Sequence, residues 1–377
     1  MKAPLKILVI FGTRPEAVKL APVIQQLKAT PDVLTHVCVT AQHREMLDQV
    51  LRLFHITPDV DLNIMRPNQA LPDLTAHILT SLIPILDSEK PDWILVQGDT
   101  TTVMTAALAA FYRGIRVGHV EAGLRTGDKH QPFPEEINRR LTSVLADLHF
   151  APTELSRDNL LNEGIPGDQI LVTGNTVIDA LNQISGQPAP AEVEKWLQQW
   201  GVMPGDKRLV VITAHRRENF GAPIENICSA IRTLSNKYSR EVHFVYPVHL
   251  NPQIQEPVNL LLSGLPNLTL LAPVDYLPMV HFLKAASVVL TDSGGIQEEA
   301  TGLGKPTLVL REKTERPEGV TAGVLKLVGT NTEMIVHETS RLLDDPAAWA
   351  KMAHAANPFG DGHAAEHIVQ AILDHGN

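Results

Sequence analysis

Three carboxylates in the first half of the chain stand where acid–base chemistry could be done: Asp99, Glu121 and Glu135. Asp99 follows the apolar run from Trp93 to Gln97, and Glu121 ends the run that starts at Arg116. A carboxylate at the end of a buried strand is uncommon unless it is paired or works on a ligand. Each acid also has a plainer reading. Asp99 can cap the helix that follows it, Glu135 and Glu136 sit in a first helical turn where the dipole favours acids, and Glu135 can pair with Arg139 four residues on. Together on one sheet edge, the three form an acid–base cluster.

Two turns suit phosphate: Gly12-Thr13-Arg14-Pro15-Glu16 and Asp292-Ser293-Gly294-Gly295. Each joins an apolar run to a helical pattern, and a helix N-terminus offers unpaired N–H groups and partial positive charge. A capping box accounts for Thr13, Pro15 and Glu16. It leaves Arg14 and Lys19, both able to face the mouth of the turn. Ser293, Gly294 and Gly295 let the backbone approach a phosphate closely. His215 follows another strand with Arg216 and Arg217 beside it, which favours a site role over a structural one. Glu299 can reach ribose hydroxyls or stand as an exposed helix acid, and Arg316 adds positive charge after a later strand. Two such turns in separate halves predict two facing α/β domains that clamp a diphosphate.

The elements that must carry these residues alternate. Strands are expected at Leu5 to Phe11, Thr35 to Thr40, Trp93 to Gln97, Arg116 to Glu121 and Leu148 to Ala151, with helices at Pro15 to Leu27, Thr102 to Phe111 and Pro134 to Leu145. A second series runs through Leu209 to Thr213, His243 to Val248, Leu268 to Ala272, Val288 to Thr291, Thr307 to Leu310 and Val324 to Leu327. This rhythm predicts an α/β fold of two doubly wound, Rossmann-like domains facing a cleft. The first is placed at residues 1–174 and the second, binding a nucleotide diphosphate, at 175–363. Ligands of such sheets bind beyond the carboxyl ends of the strands, where every motif above falls.

Composition sets the bounds. A chain of 377 residues is too long for one ordinary core. A formal charge of −10 argues against nucleic-acid binding, so positive charge must be local. The first apolar run is too short for a signal peptide, no stretch is long enough to cross a membrane, and Cys38 and Cys228 match no metal or redox spacing. A cytoplasmic protein is expected. No GxGxxG, Walker A, HExxH or GxSxG pattern occurs, and the sixteen histidines show no metal-ligand spacing.

In this order, these residues resemble the non-hydrolysing UDP-N-acetylglucosamine 2-epimerases of bacteria, over essentially the whole chain. The densest segments are Phe11 to Pro22, Thr40 to Leu51, Gly98 to Thr102, Gly118 to Thr126, Pro134 to Ser143, Val172 to Ala180, Thr213 to Asn219 and Thr291 to Glu299. The resemblance implies a glycosyltransferase-B fold whose last helix, about residues 364–377, packs back on the first domain. It implies a catalytic set of Asp99, Glu121, Glu135 and His215. Substrate contacts would come from Arg14, Lys19, Arg139, Ser293, Gly294, Gly295, Glu299 and Arg316. A second, activating UDP-N-acetylglucosamine would involve Gln42, Arg44, Glu136, Arg216 and His249. Asn68 departs from an arginine found in some relatives near that second ligand, and Val274 and Met279 depart from residues beside the uracil.

The implied reaction is reversible epimerisation at C2, giving UDP-N-acetylmannosamine for surface polysaccharide, with UDP and UDP-N-acetylglucosamine as ligands, no metal or cofactor, and a homodimer as the assembly. Three alternatives stay open: a glycosyltransferase of the same fold, a hydrolysing epimerase, and a nucleotide-sugar-binding regulator.

Overall fold

The computed structural model describes residues 3–41, 44–64, 69–203 and 205–376, with backbone alone for 44–46. The chain divides into two compact units, residues 1–180 with 359–377, and residues 181–358. The first unit begins β1 (Leu5–Phe11), α1 (Arg14–Ala29), β2 (Val33–Val39), α2 (Arg44–Leu53), β3 (Val60–Asp61) and α3 (Leu71–Glu89). It continues β4 (Trp93–Gln97), α4 (Thr101–Tyr112), β5 (Arg116–Val120), α5 (Glu135–Leu145), β6 (Leu148–Ala151), α6 (Glu154–Asn162) and β7 (Ile170–Val172). Helix α7 (Thr176–Ser185) crosses the division. The second unit holds α8 (Ala191–Gln199), β8 (Arg208–Thr213), α9 (Ala222–Lys237), β9 (Val242–Pro247), α10 (Pro252–Leu262), β10 (Leu268–Leu271) and α11 (Tyr276–Ala285). It closes with β11 (Ala286–Thr291), α12 (Gly294–Gly302), β12 (Thr307–Val309), α13 (Pro317–Thr321), β13 (Leu325–Leu327), α14 (Thr332–Asp344) and α15 (Pro346–Ala353), before α16 (Ala364–Asp374).

Each unit is built on one parallel sheet, in the order β3-β2-β1-β4-β5-β6-β7 and β10-β9-β8-β11-β12-β13. Both sheets are covered on two faces, which is why their strands are apolar throughout rather than alternating. In the second unit Val210 and Ile212 join a cluster with α9, α10 and α14, whereas Leu209 and Val211 join another with α8, α11 and α12. Adjacent residues on a strand point to opposite faces. In the first unit Leu8, Ile10, Ile94 and Val96 pack with α3 and α4.

The strand order reverses between β1 and β4 in one unit and between β8 and β11 in the other. The segments that follow these four strands carry Thr13, Asp99, His215 and Ser293, so these four residues lie at the two topological switch points.

Helix α16 packs on α1, and the Asp179 carboxylate accepts the N–H groups of Ala364 at 3.3 Å and Ala365 at 2.8 Å. Where the chain re-enters the first unit, a Cβ on Gly174 would lie 3.1 Å from Gly360 Cα. Only glycine allows two backbones to cross so closely.

Two features differ from the sequence expectation. Strands β3 and β7, at the sheet edges, are too short to show a period. Strand β5 stops at Val120, because Glu121 takes a left-handed backbone with φ 63°. Cys38 and Cys228 are free and buried, and burial pushes both thiols up to about 12. Among the described residues, no helix is long and apolar enough to cross a membrane.

Candidate active site

In the first unit the site grows from the loops after β1, β4 and β5. Glu16 forms the expected cap, accepting the backbone N–H groups of Gly12 at 3.0 Å and Thr13 at 2.6 Å. It also accepts the Thr100 hydroxyl at 2.7 Å, which ties the turn after β1 to the turn after β4. Burial raises the Glu16 carboxyl above its usual range, against these hydrogen bonds. Its role is structural. One turn along α1, Lys19 reaches the Glu121 carboxylate.

Glu121 is nearly buried and accepts three side-chain donors: Lys19 Nζ, Gln97 Nε2, and Asn175 Nδ2 at 2.9 Å. Donors on both oxygens favour the ionised form of a carboxylate. Its left-handed backbone, which costs a non-glycine residue roughly 1–3 kcal/mol, turns the side chain to meet them. Strained backbone of this kind concentrates at functional sites.

Asp99 does not cap α4. Thr100 does so, its hydroxyl accepting Val103 N–H at 3.3 Å. Asp99 instead accepts Arg139 Nη1 at 2.7 Å and keeps 29% of its side chain open. Its carboxyl is raised above its usual range, chiefly by desolvation and further by the Glu121 and Glu135 charges, with Arg139 and Lys19 opposing. The surface pair between Glu135 and Arg139 does not form. Arg139 is buried and turned to Asp99 and to Glu136, at 2.9 Å, and Glu135 Oε2 is buried without a hydrogen-bond partner. Glu136 has no exposed surface and accepts Thr126 N–H at 3.1 Å and Gly127 N–H at 3.3 Å, anchoring the loop after β5. Behind the cluster, buried His119 donates from Nε2 to the Gly98 carbonyl at 2.8 Å, and burial holds it down at about 4, so it is neutral at neutral pH.

Arg14 lies half-buried at the start of α1 and makes no ion pair with a described residue. Gln42 and Asn68 fall outside the described residues, as does the side chain of Arg44.

In the second unit Asp292, at the end of β11, accepts the backbone N–H groups of His215 at 2.7 Å and Arg216 at 2.8 Å. It also accepts Asn219 Nδ2 at 2.8 Å. The His215 ring stacks on exposed His249, with centroids 5.5 Å apart and planes at 15°. Ser293 N-caps α12, and its N–H donates to the Thr291 hydroxyl at 3.0 Å. A Cβ on Gly294 would lie 3.6 Å from Arg216 Nη2 and from Glu315 Oε2, and 3.9 Å from Arg316 Nη2. Two guanidinium groups therefore converge on the N-terminus of α12. Arg216, expected near a second ligand, lies beside this turn. Arg316 is also held from behind by Glu298, through Nε. Glu299 is not an exposed helix acid. It is buried, with Oε1 4.0 Å from the Cβ position of Gly295. Val274 and Met279 pack as partly buried members of the α8–α11–α12 cluster.

Gln97, Asn175 and Asn219 take part in these networks and are not among the sequence candidates, and Asp292 is named there only as the first residue of a phosphate turn. Asp292 carries the signal that marked Glu121, an acid just beyond a buried strand. The three amides carry none, since their partners lie 24, 54 and 73 residues away. Among the described residues no group of three or more His, Cys, Asp or Glu side chains could hold a metal ion.

The family model described as UDP-N-acetylglucosamine 2-epimerase matches residues 25–373. A Yersinia pestis protein named UDP-N-acetylglucosamine 2-epimerase is 54% identical over 373 residues, 98% of this chain and 99% of that one. The crystal structure of UDP-GlcNAc 2-epimerase from Neisseria meningitidis bound to UDP-GlcNAc superposes with a TM-score of 0.91 at 51% identity, covering 98% of this chain and 100% of that one. The S. aureus MnaA–UDP co-structure gives 0.90 at 46% identity, over 98% and 96% of the two chains.

Proposed function

The chain belongs to the UDP-N-acetylglucosamine 2-epimerase family, and from that premise we propose how its residues carry out the reaction. The activity is that of an isomerase, interconverting UDP-N-acetylglucosamine and UDP-N-acetylmannosamine at C2. The C2 proton of the sugar is barely acidic. Expelling UDP first builds positive charge at C1 and acidifies that proton, leaving a bound 2-acetamidoglucal. In the starting sugar the C2 proton is anti to the axial UDP, and in the product it lies on the same face. Elimination is therefore anti and re-addition syn, which requires proton-handling groups on two faces of the ring.

The observation that carries this mechanism is the unequal engagement of the three acids. Glu121 is fixed by three donors, Asp99 is paired with Arg139 and raised, and Glu135 has a buried oxygen with no partner. Neighbouring acids in different environments divide acid and base roles between them. Asp99 and Glu135 exchange the protons in this reading, and Glu121 supplies a fixed negative charge opposite the cationic C1. Such acid–base help contributes about 10²–10⁴-fold. In the second unit His215, Arg216, Arg316 and the Ser293 turn bind the diphosphate and stabilise it as it departs, with Glu299 on the ribose. Arg14 and Lys19 complete the substrate contacts.

Positional isotope exchange tests the C1–O cleavage. Substrate carrying ¹⁸O in the bridge between C1 and phosphorus should scramble that label into the non-bridging β-phosphate positions during turnover. Retention of the label in the bridge would overturn the elimination step, and stoichiometric free N-acetylmannosamine would assign the hydrolysing variant.

The reading includes a cytoplasmic homodimer feeding surface polysaccharide. Ile137, Leu141 and Val144, at helical spacing on one exposed face of α5, support self-association. Sedimentation equilibrium tests it, with a monomer at micromolar concentration as the contrary result.

A further inference from the structure

Asp292 connects the two parts of the second-unit site. Its side chain is fully buried. Oδ2 holds the loop after β8 through the N–H groups of His215 and Arg216 and the Asn219 amide. Oδ1 accepts no hydrogen bond. The cationic-capable group facing it is His215 Nδ1, at 3.6 Å. That separation is too long for a hydrogen bond, and a small rotation of the imidazole closes it. A buried carboxylate oxygen without a donor is unfavourable, so the ring has a reason to turn. Catalytic hydrogen bonds are often long before substrate arrives and tighten in the complex. Asp292 also immediately precedes Ser293, so the diphosphate turn and the His215 loop hang on one carboxylate.

We propose that Asp292 is a positioning residue for the epimerisation, locking the proton of His215 on Nδ1 and presenting Nε2 to the diphosphate. This deepens the reading of His215 given above and rests on it. The nitrogen that carries the fixed proton is set by what accepts from it. With Nδ1–H committed to Asp292, Nε2 is the nitrogen left to carry a proton toward the phosphate. As the C1–O bond breaks, its electron pair passes to the β-phosphate oxygen. The Nε2 proton of the imidazolium bonds to that oxygen, and it stays with Nε2 when UDP adds back.

The test is ¹⁵N NMR of histidine-labelled protein with UDP bound, the His215 signals being assigned by their absence in His215→Gln. The expected spectrum has Nδ1 protonated. A His215 protonated on Nε2 alone would overturn the proposal. Asp292→Asn keeps the shape but turns an amide N–H₂ toward Nδ1, so the tautomer should reverse. The kcat should then fall by about 10-fold or more with little change in KM. In a His215→Gln background the same substitution should cost nothing further, because the two residues act through one hydrogen bond. Full multiplicative loss in the double variant would contradict the positioning role. The wild-type spectrum decides even if Asp292→Asn fails to fold. Because it does not depend on turnover, failure of the epimerase reading is distinguishable from failure of this one.

Discussion

Arg139 Nη1 lies 2.7 Å from Asp99 Oδ2, and this bond ties the helix that carries Glu135 to the turn after β4. The other terminal nitrogen of Arg139 lies 2.9 Å from the buried carboxylate of Glu136. One guanidinium thus fixes the first turn of α5, and the unpartnered oxygen of Glu135 follows from where Arg139 faces. A planar fork can serve two carboxylates at once, which an ammonium cannot do with the same geometry.

Arg139→Met should therefore lower both stability and turnover. Removing one partner of a buried ion pair leaves the other charged and unpaired, at a cost of about 3–5 kcal/mol. Arg140, 3.4 Å from Glu136, offsets part of it. Urea unfolding and kcat measured on the same preparation check the claim. A variant of unchanged stability would show that Glu136 is held without Arg139.

Glu121→Gln separates chemistry from scaffolding. The amide keeps the shape but removes the anion that Lys19 faces, so turnover should fall by about 10²-fold or more. Affinity for UDP, measured calorimetrically, should be retained, because the diphosphate contacts are assigned to the other unit. Loss of melting temperature, UDP affinity and turnover together would mean that the Lys19–Glu121 pair only holds the fold.

Gly294→Ala tests where the diphosphate sits. The added methyl would lie 3.6 Å from its nearest protein atoms, ordinary contact, so the free protein should fold normally. A fall in UDP affinity would then report obstruction of the ligand's approach to the helix N-terminus. Arg316→Ala should weaken UDP by about 1.5–3 kcal/mol for a lost charge-assisted bond, and should also lower stability by removing the Nε–H that buried Glu298 accepts. Unchanged calorimetric affinity in both variants would place the diphosphate elsewhere.

The pH dependence of stability has a marker in the second unit, at His243. Burial, with Lys207 adding to it, holds His243 down at about 4, against an ordinary value of 6.5. Between those values the unfolded chain binds the proton and the folded one does not. Stability therefore rises with pH through that window and is lost as pH falls from 6.5 towards 4. The raised carboxyls of Glu16 and Asp99 pull the other way, so the test is a comparison in which they cancel. His243→Phe retains a ring to stack on Trp200, where the imidazole sits at 4.7 Å. Its stability relative to the parent should improve steadily as pH falls across the window. A pH-independent difference would show that His243 is protonated in the folded protein.

The sheet interiors were legible in the sequence because parallel strands buried on both faces are plain apolar runs, and Leu5–Phe11 and Trp93–Gln97 have the expected bounds. Edge strand Val60–Asp61, two residues long, has no period to read. At the site, residue types and their strand-end positions were visible, but partnerships were not. Arg139 was four residues from one acid and three from another, and packing rather than spacing chose Glu136 and Asp99. The left-handed turn at Glu121 has no local signature, since it is held by Lys19, 102 residues earlier, and Asn175, 54 residues later. Asp292 was seen as part of a turn, and its hold on the loop after β8 depends on β8 and β11 being neighbours.

The most direct test is proton NMR of the protein with UDP-N-acetylglucosamine in heavy water. The expected product is UDP-N-acetylmannosamine carrying solvent deuterium at C2, with deuterium appearing at C2 of the remaining substrate as the reaction reverses and no nicotinamide added. Formation of the product with its original C2 proton fully retained would contradict proton removal by the Asp99–Glu135 pair and, with it, the mechanism.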